Sequence, residues 1–279
     1  MSDAASALPR ESDPSVDALG RAPGAAASTY FLLGRLLRAT MRQPIWLIIM
    51  LVQPIIWLWL FGQLFRRVVT LPGFGAASYI DFLAPGVVVM TALFGAAWAG
   101  MPIITELNEG VLARMLTTPA SRGAMIVARV LHTCISTLVQ GVLIILMALA
   151  LGAHIPSGVV GAAVMLVSAS LLAACFGALS TGLALLAQRE ETLIAIVNFI
   201  SLPLNFLSPV LMATALMPKW MQSVSRFNPV AWGVTSARQA AGAAPQWGNV
   251  LGHDGLLLAL AVVLLVFATW AFRVYQRSL

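Results

Sequence analysis

The chain has 279 residues, of which 60% are hydrophobic and only 9% are charged, and its mean hydropathy is +0.92. An ordinary soluble domain carries about 25% charged residues, so this composition excludes a water-soluble globular protein and indicates an integral membrane protein. The formal net charge is +6, but the arginines stand in short segments between apolar runs, a distribution that indicates membrane topology rather than nucleic-acid binding.

The first predicted segment is a flexible cytoplasmic tail over residues 1–27. It is rich in Ala, Ser, Pro and Asp and contains no apolar run, so it buries too little surface to offset the entropy cost of ordering. Residues 28–43 are predicted to form an amphipathic helix with Arg35, Arg38 and Arg42 on one stripe and leucines on the other. We expect this helix to lie in the plane of the inner leaflet.

Six apolar segments are long enough to cross a bilayer, because a hydrocarbon core of about 30 Å takes about 20 helical residues. They are residues 45–65, 82–105, 130–151, 158–187, 192–217 and 255–272. None of them contains Asp, Glu, Lys or Arg, as the cost of charge in hydrocarbon demands. The expected fold is all-α, a polytopic membrane protein with six transmembrane helices.

Arginine and lysine residues predict the orientation of these segments. With a cytoplasmic N-terminus the inner side holds 11 of them and the outer side 5, which predicts a multi-pass protein of the plasma membrane with both termini in the cytoplasm. Only the pair Arg66 and Arg67 opposes this assignment. Residues 188–191 are expected to form a tight inner turn, and the Trp-containing stretch 218–254 an outer segment that lies in the interface and is partly re-entrant.

Motifs for enzymatic chemistry and metal binding are not found in the sequence, so no catalytic residue and no metal ligand is predicted. Cys134 and Cys175 are expected to be buried small hydrophobes. His132, inside the third segment, is either a proton relay or a side chain that hydrogen-bonds to a neighbouring helix. The lone lysine, Lys219, is not in a phosphate-binding loop, so uphill transport would take its energy from another polypeptide or from an ion gradient. Segments free of carboxylates disfavour proton coupling.

The inner loop after the second segment is the most informative stretch. A short helix would place Val111, Leu112, Met115 and Leu116 on one face before Pro119 ends it. Such an apolar knob, tied to two membrane helices, suits the transmission of force from a cytosolic partner. The alternative is an inert surface turn.

The same loop resembles a motif of the type-two export permeases of ATP-binding-cassette (ABC) transporters. Its matching residues are Glu106, Gly110, Leu112, Arg114, Leu116, Pro119, Ser121 and Arg122. Residues 81–86, 227–230 and 237–239 are similar to further parts of these permeases, and the resemblance over residues 28–277 is strongest to the daunorubicin-resistance and nodulation lipo-oligosaccharide permeases.

This resemblance implies a single ABC-2 type transmembrane domain over residues 28–277. Residues 28–43 would be a connecting helix, and residues 108–118 a coupling helix that sits in a cleft of a cytosolic ATPase. The implied coupling residues are Glu106, Glu109, Gly110, Val111, Leu112, Arg114, Met115, Leu116, Pro119 and Arg122. The chain departs from the family at Asn108, where an acidic residue is common. Two permease copies would work with two ATPase subunits, which would hold ATP and magnesium, so the chain itself would need no cofactor.

Side chains on two segments form a candidate solute path. Met90, Phe94 and Trp98 recur every four residues on the second segment, and Asn198, Asn205 and Met212 every seven on the fifth, with Phe199 and Phe206 beside them. This pattern is typical of an adaptable site for a bulky amphipathic solute. It is equally typical of helix packing in which asparagine side chains form hydrogen bonds between helices.

The function expected from the sequence is therefore the permease subunit of an ABC exporter for a hydrophobic or amphipathic, drug-like compound. One alternative keeps this fold and exports a lipid-linked oligosaccharide. The other is a membrane protein that does not transport, either a scaffold or an intramembrane enzyme.

Overall fold

The computed structural model describes residues 25–42, 44–67, 69, 78–111 and 122–277, and all regular structure in these ranges is helical. This confirms the all-α fold class. The α-helices of the described residues are α1 (Ala25–Met41), α2 (Pro44–Ile56), α3 (Gly62–Leu64), α4 (Tyr79–Ala97), α5 (Met101–Asn108), α6 (Arg122–Ala150), α7 (Gly158–Ala187), α8 (Glu190–Phe206), α9 (Lys219–Ser225), α10 (Pro229–Ala241) and α11 (Trp247–Arg277). A π-helical segment, Trp57–Phe61, joins α2 to α3, and a 3-10 turn, Thr214–Leu216, follows α8.

Four helices in the described part of the chain are long and apolar enough to cross a membrane. They are Tyr79–Asn108, which comprises α4, α5 and the turn between them, Gly123–Ala150, Gly158–Ala187 and Trp247–Arg277. They match the second, third, fourth and sixth predicted segments and make this a multi-pass membrane protein. The third and sixth begin well before their predicted starts, because polar residues near the surface do not interrupt helical hydrogen bonding.

The first predicted segment is helical over residues 44–64, through α2, the π-helical segment and α3. The fifth is helical over a shorter length than predicted. In the fifth, α8 has 17 residues and ends at Phe206, so the prediction of helix as far as residue 217 is wrong beyond that point. Pro209 gives the reason, since it has no N–H and disfavours helical backbone at Ser208.

The turn between α7 and α8 is shorter than residues 188–191. Gln188 adopts a left-handed φ of 54° and ends α7, and Arg189 is the N-cap of α8. Glu190 and Glu191 lie in the first helical turn of α8 rather than in the connection. Their negative charge is stabilised there by the helix dipole.

Helix α7 is the centre of the bundle and contacts α4, α6, α10 and α11. It is apolar on all sides, and 15 of its 30 residues are buried. Many of these are small, which lets neighbouring backbones approach closely. At Gly182, for example, an added Cβ would stand 2.7 Å from the ring of Phe267 in α11.

Buried apolar residues form two clusters toward opposite ends of α7. The first contains Phe82, Ala153 and Val210, and we call this the Arg238 end because Arg238 lies there. The second contains Val130 and Leu185 among others, close to Glu106, and we call it the Glu106 end. Helices α4, α6, α7 and α11 connect the two ends.

Helix α10 lies inside the bundle, although its sequence belongs to the predicted outer segment. Val230, Val234 and Ala237 are all 0% exposed, and α10 contacts α4, α7 and α11. Its start is set by Asn228, whose side chain accepts a hydrogen bond from the Val230 N–H at 2.9 Å, with Pro229 as the first helical residue. The expectation that residues 218–254 lie in the interface and are partly re-entrant stays a prediction.

Candidate coupling site and solute path

The carboxylate of Glu106, in α5, accepts hydrogen bonds from arginines of two other helices. Arg35 of α1 donates to Oε1 at 3.1 Å, and Arg129 of α6 donates to Oε2. The Glu106 and Arg129 side chains are 17% and 12% exposed, whereas that of Arg35 is 46% exposed. Solvent therefore screens the Arg35 pair more strongly than the Arg129 pair. Loss of one partner from the Arg129 pair would leave a mostly buried charge without a countercharge. The cluster joins α1, α5 and α6 at one point.

Helix α1 is docked on α6 by a second polar contact. It begins at Ala25, three residues before the predicted boundary at 28, and near its end Thr40 Oγ1 lies 2.8 Å from His132 Nε2. This confirms the interpretation of His132 as a side chain that hydrogen-bonds to a neighbouring helix. Arg38 and Arg42 remain exposed, as predicted. Arg35 departs from that solvated stripe by pairing with Glu106.

The predicted coupling helix lies mainly outside the described residues. The structure describes it as far as Val111, and Asn108 and Glu109 at the end of α5 are exposed. Gly110 has a left-handed φ of +67°, the conformation that glycine favours after a helix end, so the chain changes direction directly after α5. Five of the predicted coupling residues are not described, and Arg122 opens α6 without a described side chain. The five are Leu112, Arg114, Met115, Leu116 and Pro119.

The candidate path residues on α4 divide between the core and partly exposed positions. Met90 is only 3% exposed and belongs to the hydrophobic core, which favours the packing interpretation at this position. Phe94 is half-buried, and Trp98 is half-buried in the turn that follows α4.

The candidate path residues near α8 do not form one continuous stripe. Asn205 is buried and Asn198 half-buried, whereas Phe199 and Phe206 are 80% and 62% exposed. Met212 lies beyond the end of α8, so the helical seven-residue repeat that would include it is wrong. A role for these residues in a solute path stays a prediction.

The end of α8, the irregular chain after it and the start of α9 line a partly open cavity of about 280 Å³. Its lining includes Asn205, Phe206, Ser208 and three methionines, Met212, Met217 and Met221. Two predicted path residues of α8 and Met212 are thus brought to one site, although not by the helical repeat that the sequence indicated.

Arg238, in α10, forms hydrogen bonds to the backbone of the irregular segment after α8. Its guanidinium donates to the carbonyl oxygens of Phe82, Pro209 and Val210 at 3.0 to 3.4 Å. Its Cζ lies 3.6 Å from the centre of the Phe82 ring, a cation–π geometry. Nearby, the Tyr79 hydroxyl donates to the Leu211 carbonyl at 2.9 Å. Carbonyl groups that a broken helix would leave without partners are therefore satisfied.

Sequence reasoning missed the local roles of Arg129 and Arg238. It counted both as topology charges and otherwise included Arg238 only in the family resemblance over residues 237–239. For Arg238 a signal was available, because it is the lone Lys, Arg, Asp or Glu between residues 227 and 253. A lone charge within a mainly apolar stretch of a membrane protein marks a side chain with fixed partners. For Arg129 there was no such signal, since arginine is ordinary at the inner end of a span.

The cysteines and potential metal ligands are isolated in the described part of the chain. Cys175 is buried, as predicted, and Cys134 is half-buried, and both are free thiols. No group of three or more His, Cys, Asp or Glu residues is placed there to hold a metal ion.

Comparison with known proteins finds similarity to transporters in each case. The ABC-2 type transporter family matches residues 27–241. The ycf38 transport permease of Cyanophora paradoxa is 31% identical over 210 residues, which is 75% of this chain and 72% of the relative. The daunorubicin resistance ABC transporter permease DrrB1 of Streptomyces coeruleorubidus is 26% identical over 268 residues, 93% of this chain and 90% of the relative. A doxorubicin resistance permease of Mycobacterium tuberculosis, DrrC, is 22% identical over 204 residues, 73% and 71% of the two chains.

Proposed function

Because the chain belongs to the ABC-2 type transporter family and is a multi-pass transport permease, we propose that it is the membrane subunit of an ATP-driven exporter. Its substrate is a hydrophobic or amphipathic, drug-like compound, and a separate ATPase subunit hydrolyses ATP with magnesium. The observation that carries this proposal is the similarity to a daunorubicin resistance permease over 93% of the chain. No residue of this chain is assigned a catalytic role.

The proposed topology has six spans in the plasma membrane with both termini in the cytoplasm. The helical run over residues 44–64 and helix α8 would be the first and fifth spans, beside the four long helices. The excess of arginine on the inner side supports this orientation. The Glu106 end of the bundle is then cytoplasmic and the Arg238 end is outside.

Force from the ATPase would enter through residues 108–118. This segment follows α5 directly and precedes α6, and Glu106 and Arg129 of these two helices are paired. Arg35 extends the connection to α1. A displacement of the loop would therefore be passed to three helices together, which is the property that a coupling site needs. Two permease copies would face each other across the solute path, with one ATPase on each.

Export of a lipid-linked oligosaccharide uses the same architecture and is the second candidate. The drug-resistance names of two relatives favour the drug-like compound. The non-transporting scaffold is disfavoured by the membership of the chain in a transporter family.

The test is ATP-dependent uptake of daunorubicin by inside-out vesicles that contain the chain and its ATPase. The double substitution Met115→Asp and Leu116→Asp should reduce uptake at least about tenfold and abolish co-purification of the ATPase, because buried charge opposes docking of an apolar knob. Ala244→Asp places a charge on an exposed turn far from this loop and is the control, with uptake unchanged. Normal uptake and ATPase binding in the double variant would refute the coupling role, and lack of daunorubicin uptake by the wild-type complex would refute the drug-like substrate.

A further inference from the structure

We infer that Arg38 and Arg42 of α1 form a binding site for the phosphate of an anionic phospholipid in the inner leaflet. This inference rests on the proposed function for the side of the membrane on which α1 lies. It goes beyond a helix at the membrane surface, because it predicts selection of lipids by headgroup charge and names the side chains that select them.

Helix α1 has one packed face and one exposed face. On the packed face Thr40 contacts His132 of α6. Phe31, Arg38 and Arg42 follow one another at spacings of seven and four residues, which places them on one stripe of the helix. All three side chains are exposed. The stripe is therefore available to a partner outside the helix bundle.

The two arginines of this stripe have no countercharge within the described part of the chain. The ion pairs of the described residues all involve Glu106, and neither Arg38 nor Arg42 takes part in one. Arg38 donates from Nε to the Gly34 carbonyl at 3.2 Å, and this contact leaves its two Nη groups without a described partner.

One phosphate group can compensate both charges. Residues four apart on a helix are neighbours, with about 5–6 Å between their Cβ atoms, so Arg38 and Arg42 can reach the same group. A guanidinium presents a planar fork of N–H donors that matches the oxygens of a phosphate. The hydrogen bond from Arg38 to the backbone restrains its guanidinium before a lipid binds, which lowers the entropy cost of binding.

The position of the pair favours a lipid over an acidic protein as the partner. Arg42 lies two residues before Pro44, where α2 and the proposed first span begin. Cationic side chains next to the inner end of a span lie near the headgroups and attract anionic lipids. Phe31, on the same stripe, is 67% exposed, and an apolar aromatic side chain beside arginines is typical of helices that lie in the membrane interface.

Selection by charge distinguishes this site from a helix that is held only by its apolar residues. Apolar side chains contact the acyl chains of neutral and anionic lipids alike. Each arginine near the membrane surface favours an anionic lipid about fivefold, so the pair should favour it about 25-fold.

The test measures lipid binding to the purified full chain in a neutral detergent, without ATPase, by native mass spectrometry. The probes are palmitoyl-oleoyl phosphatidylglycerol and palmitoyl-oleoyl phosphatidylcholine, which have the same acyl chains and differ in headgroup charge. The wild type should bind the phosphatidylglycerol about 25-fold more tightly. The double substitution Arg38→Gln and Arg42→Gln should reduce this preference to less than about threefold. Lysine at both positions should keep an intermediate preference, because it retains the charge and loses the planar fork.

The double substitution Arg189→Gln and Arg226→Gln is the matched control. Both residues are exposed arginines outside α1, and the net charge changes by the same amount, so the preference should be kept. Equal binding of the two lipids by the wild type, or a preference that survives glutamine at both α1 positions, would overturn the inference. So would an equal loss in the control, or a lysine variant that is no more selective than the glutamine variant.

The lipid site and the proposed function can fail separately, because lipid binding by the chain alone needs neither ATP nor transport. A preserved lipid preference without daunorubicin uptake would refute the proposed function alone. Uptake by a chain that shows no lipid preference would refute the lipid site alone.

Discussion

The interactions of Glu106 depend on arginines that are distant from it in the sequence. In the sequence it stands at the edge of an apolar segment, where a solvated or partner-facing role is expected. In the structure it pairs with Arg129, and both side chains are mostly buried, while Arg35 adds a more exposed pair. Removing a partner from the buried pair leaves a charge without compensation, whereas the exposed pair contributes little.

Glu106→Gln should therefore lower the free energy of unfolding by about 1–3 kcal/mol. Arg35→Met removes only the exposed partner and should lower it by less than about 1 kcal/mol. Denaturant unfolding in mixed micelles measures both values. Equal losses in the two variants would show that burial does not distinguish the two pairs.

Gly100 lies where the turn after α4 meets α7. Its N–H donates to Ser180 Oγ at 3.0 Å, and the same hydroxyl donates to the Ala97 carbonyl at 2.5 Å. A Cβ at this position would collide with the backbone oxygen of Ser180. The two helices therefore approach this closely only because residue 100 has no side chain.

Gly100→Ala should lower the free energy of unfolding by about 1–3 kcal/mol, the usual cost of overpacking. Gly252→Ala is the matched control, because its Cβ would meet nothing within 4 Å in α11. There alanine should stabilise the helix by about 0.5–1 kcal/mol. The same unfolding measurement separates the two, and a neutral Gly100→Ala would disprove the tight contact.

At the scale of elements, the decisive feature is the end of α8. A helix over residues 192–217 would have crossed the whole bundle, but Pro209 stops it, and the following segment folds back over the cavity. The carbonyls that become free find Arg238 of α10 and the hydroxyl of Tyr79 of α4. One interrupted helix is thus stabilised by two others.

Arg238→Met should accelerate amide hydrogen exchange across residues 207–213, because the loss of charged hydrogen bonds costs about 1.5–3 kcal/mol. Arg238→Lys should have an intermediate effect, since an ammonium group cannot reproduce the planar fork of a guanidinium. Mass spectrometry of peptic fragments gives the readout. Arg226→Met, an exposed arginine, should leave the exchange rate unchanged. Identical exchange in Arg238→Met and the wild type would contradict the proposed anchoring.

At the scale of the whole molecule, the proposed topology assigns the two ends of the bundle to opposite sides of the membrane. His154, in the connection between α6 and α7, and Glu191, at the start of α8, are both exposed and lie near opposite ends of α7. They are therefore suitable positions from which to read the orientation.

In a variant without Cys134 and Cys175, a membrane-impermeant maleimide should label His154→Cys in intact cells. Glu191→Cys should react only after permeabilisation, because the proposed topology places its end of the bundle in the cytoplasm. Mass-shift electrophoresis quantifies the labelling. The reverse pattern would place both termini outside the cell and remove the coupling loop from any cytosolic ATPase.

The sequence by itself determined the membrane class, the all-α fold and the approximate positions of the four long helices. These properties are local, since hydrocarbon thickness alone demands a run of about 20 apolar residues. Tertiary structure decided which polar groups meet. Arg35 and Glu106 are 71 residues apart, and Arg129 is 23 residues from Glu106. Arg238 donates to segments from two other parts of the chain. Such contacts depend on the alignment and depth of packed helices, which side-chain packing between helices sets and the hydrophobic pattern of a single helix does not contain.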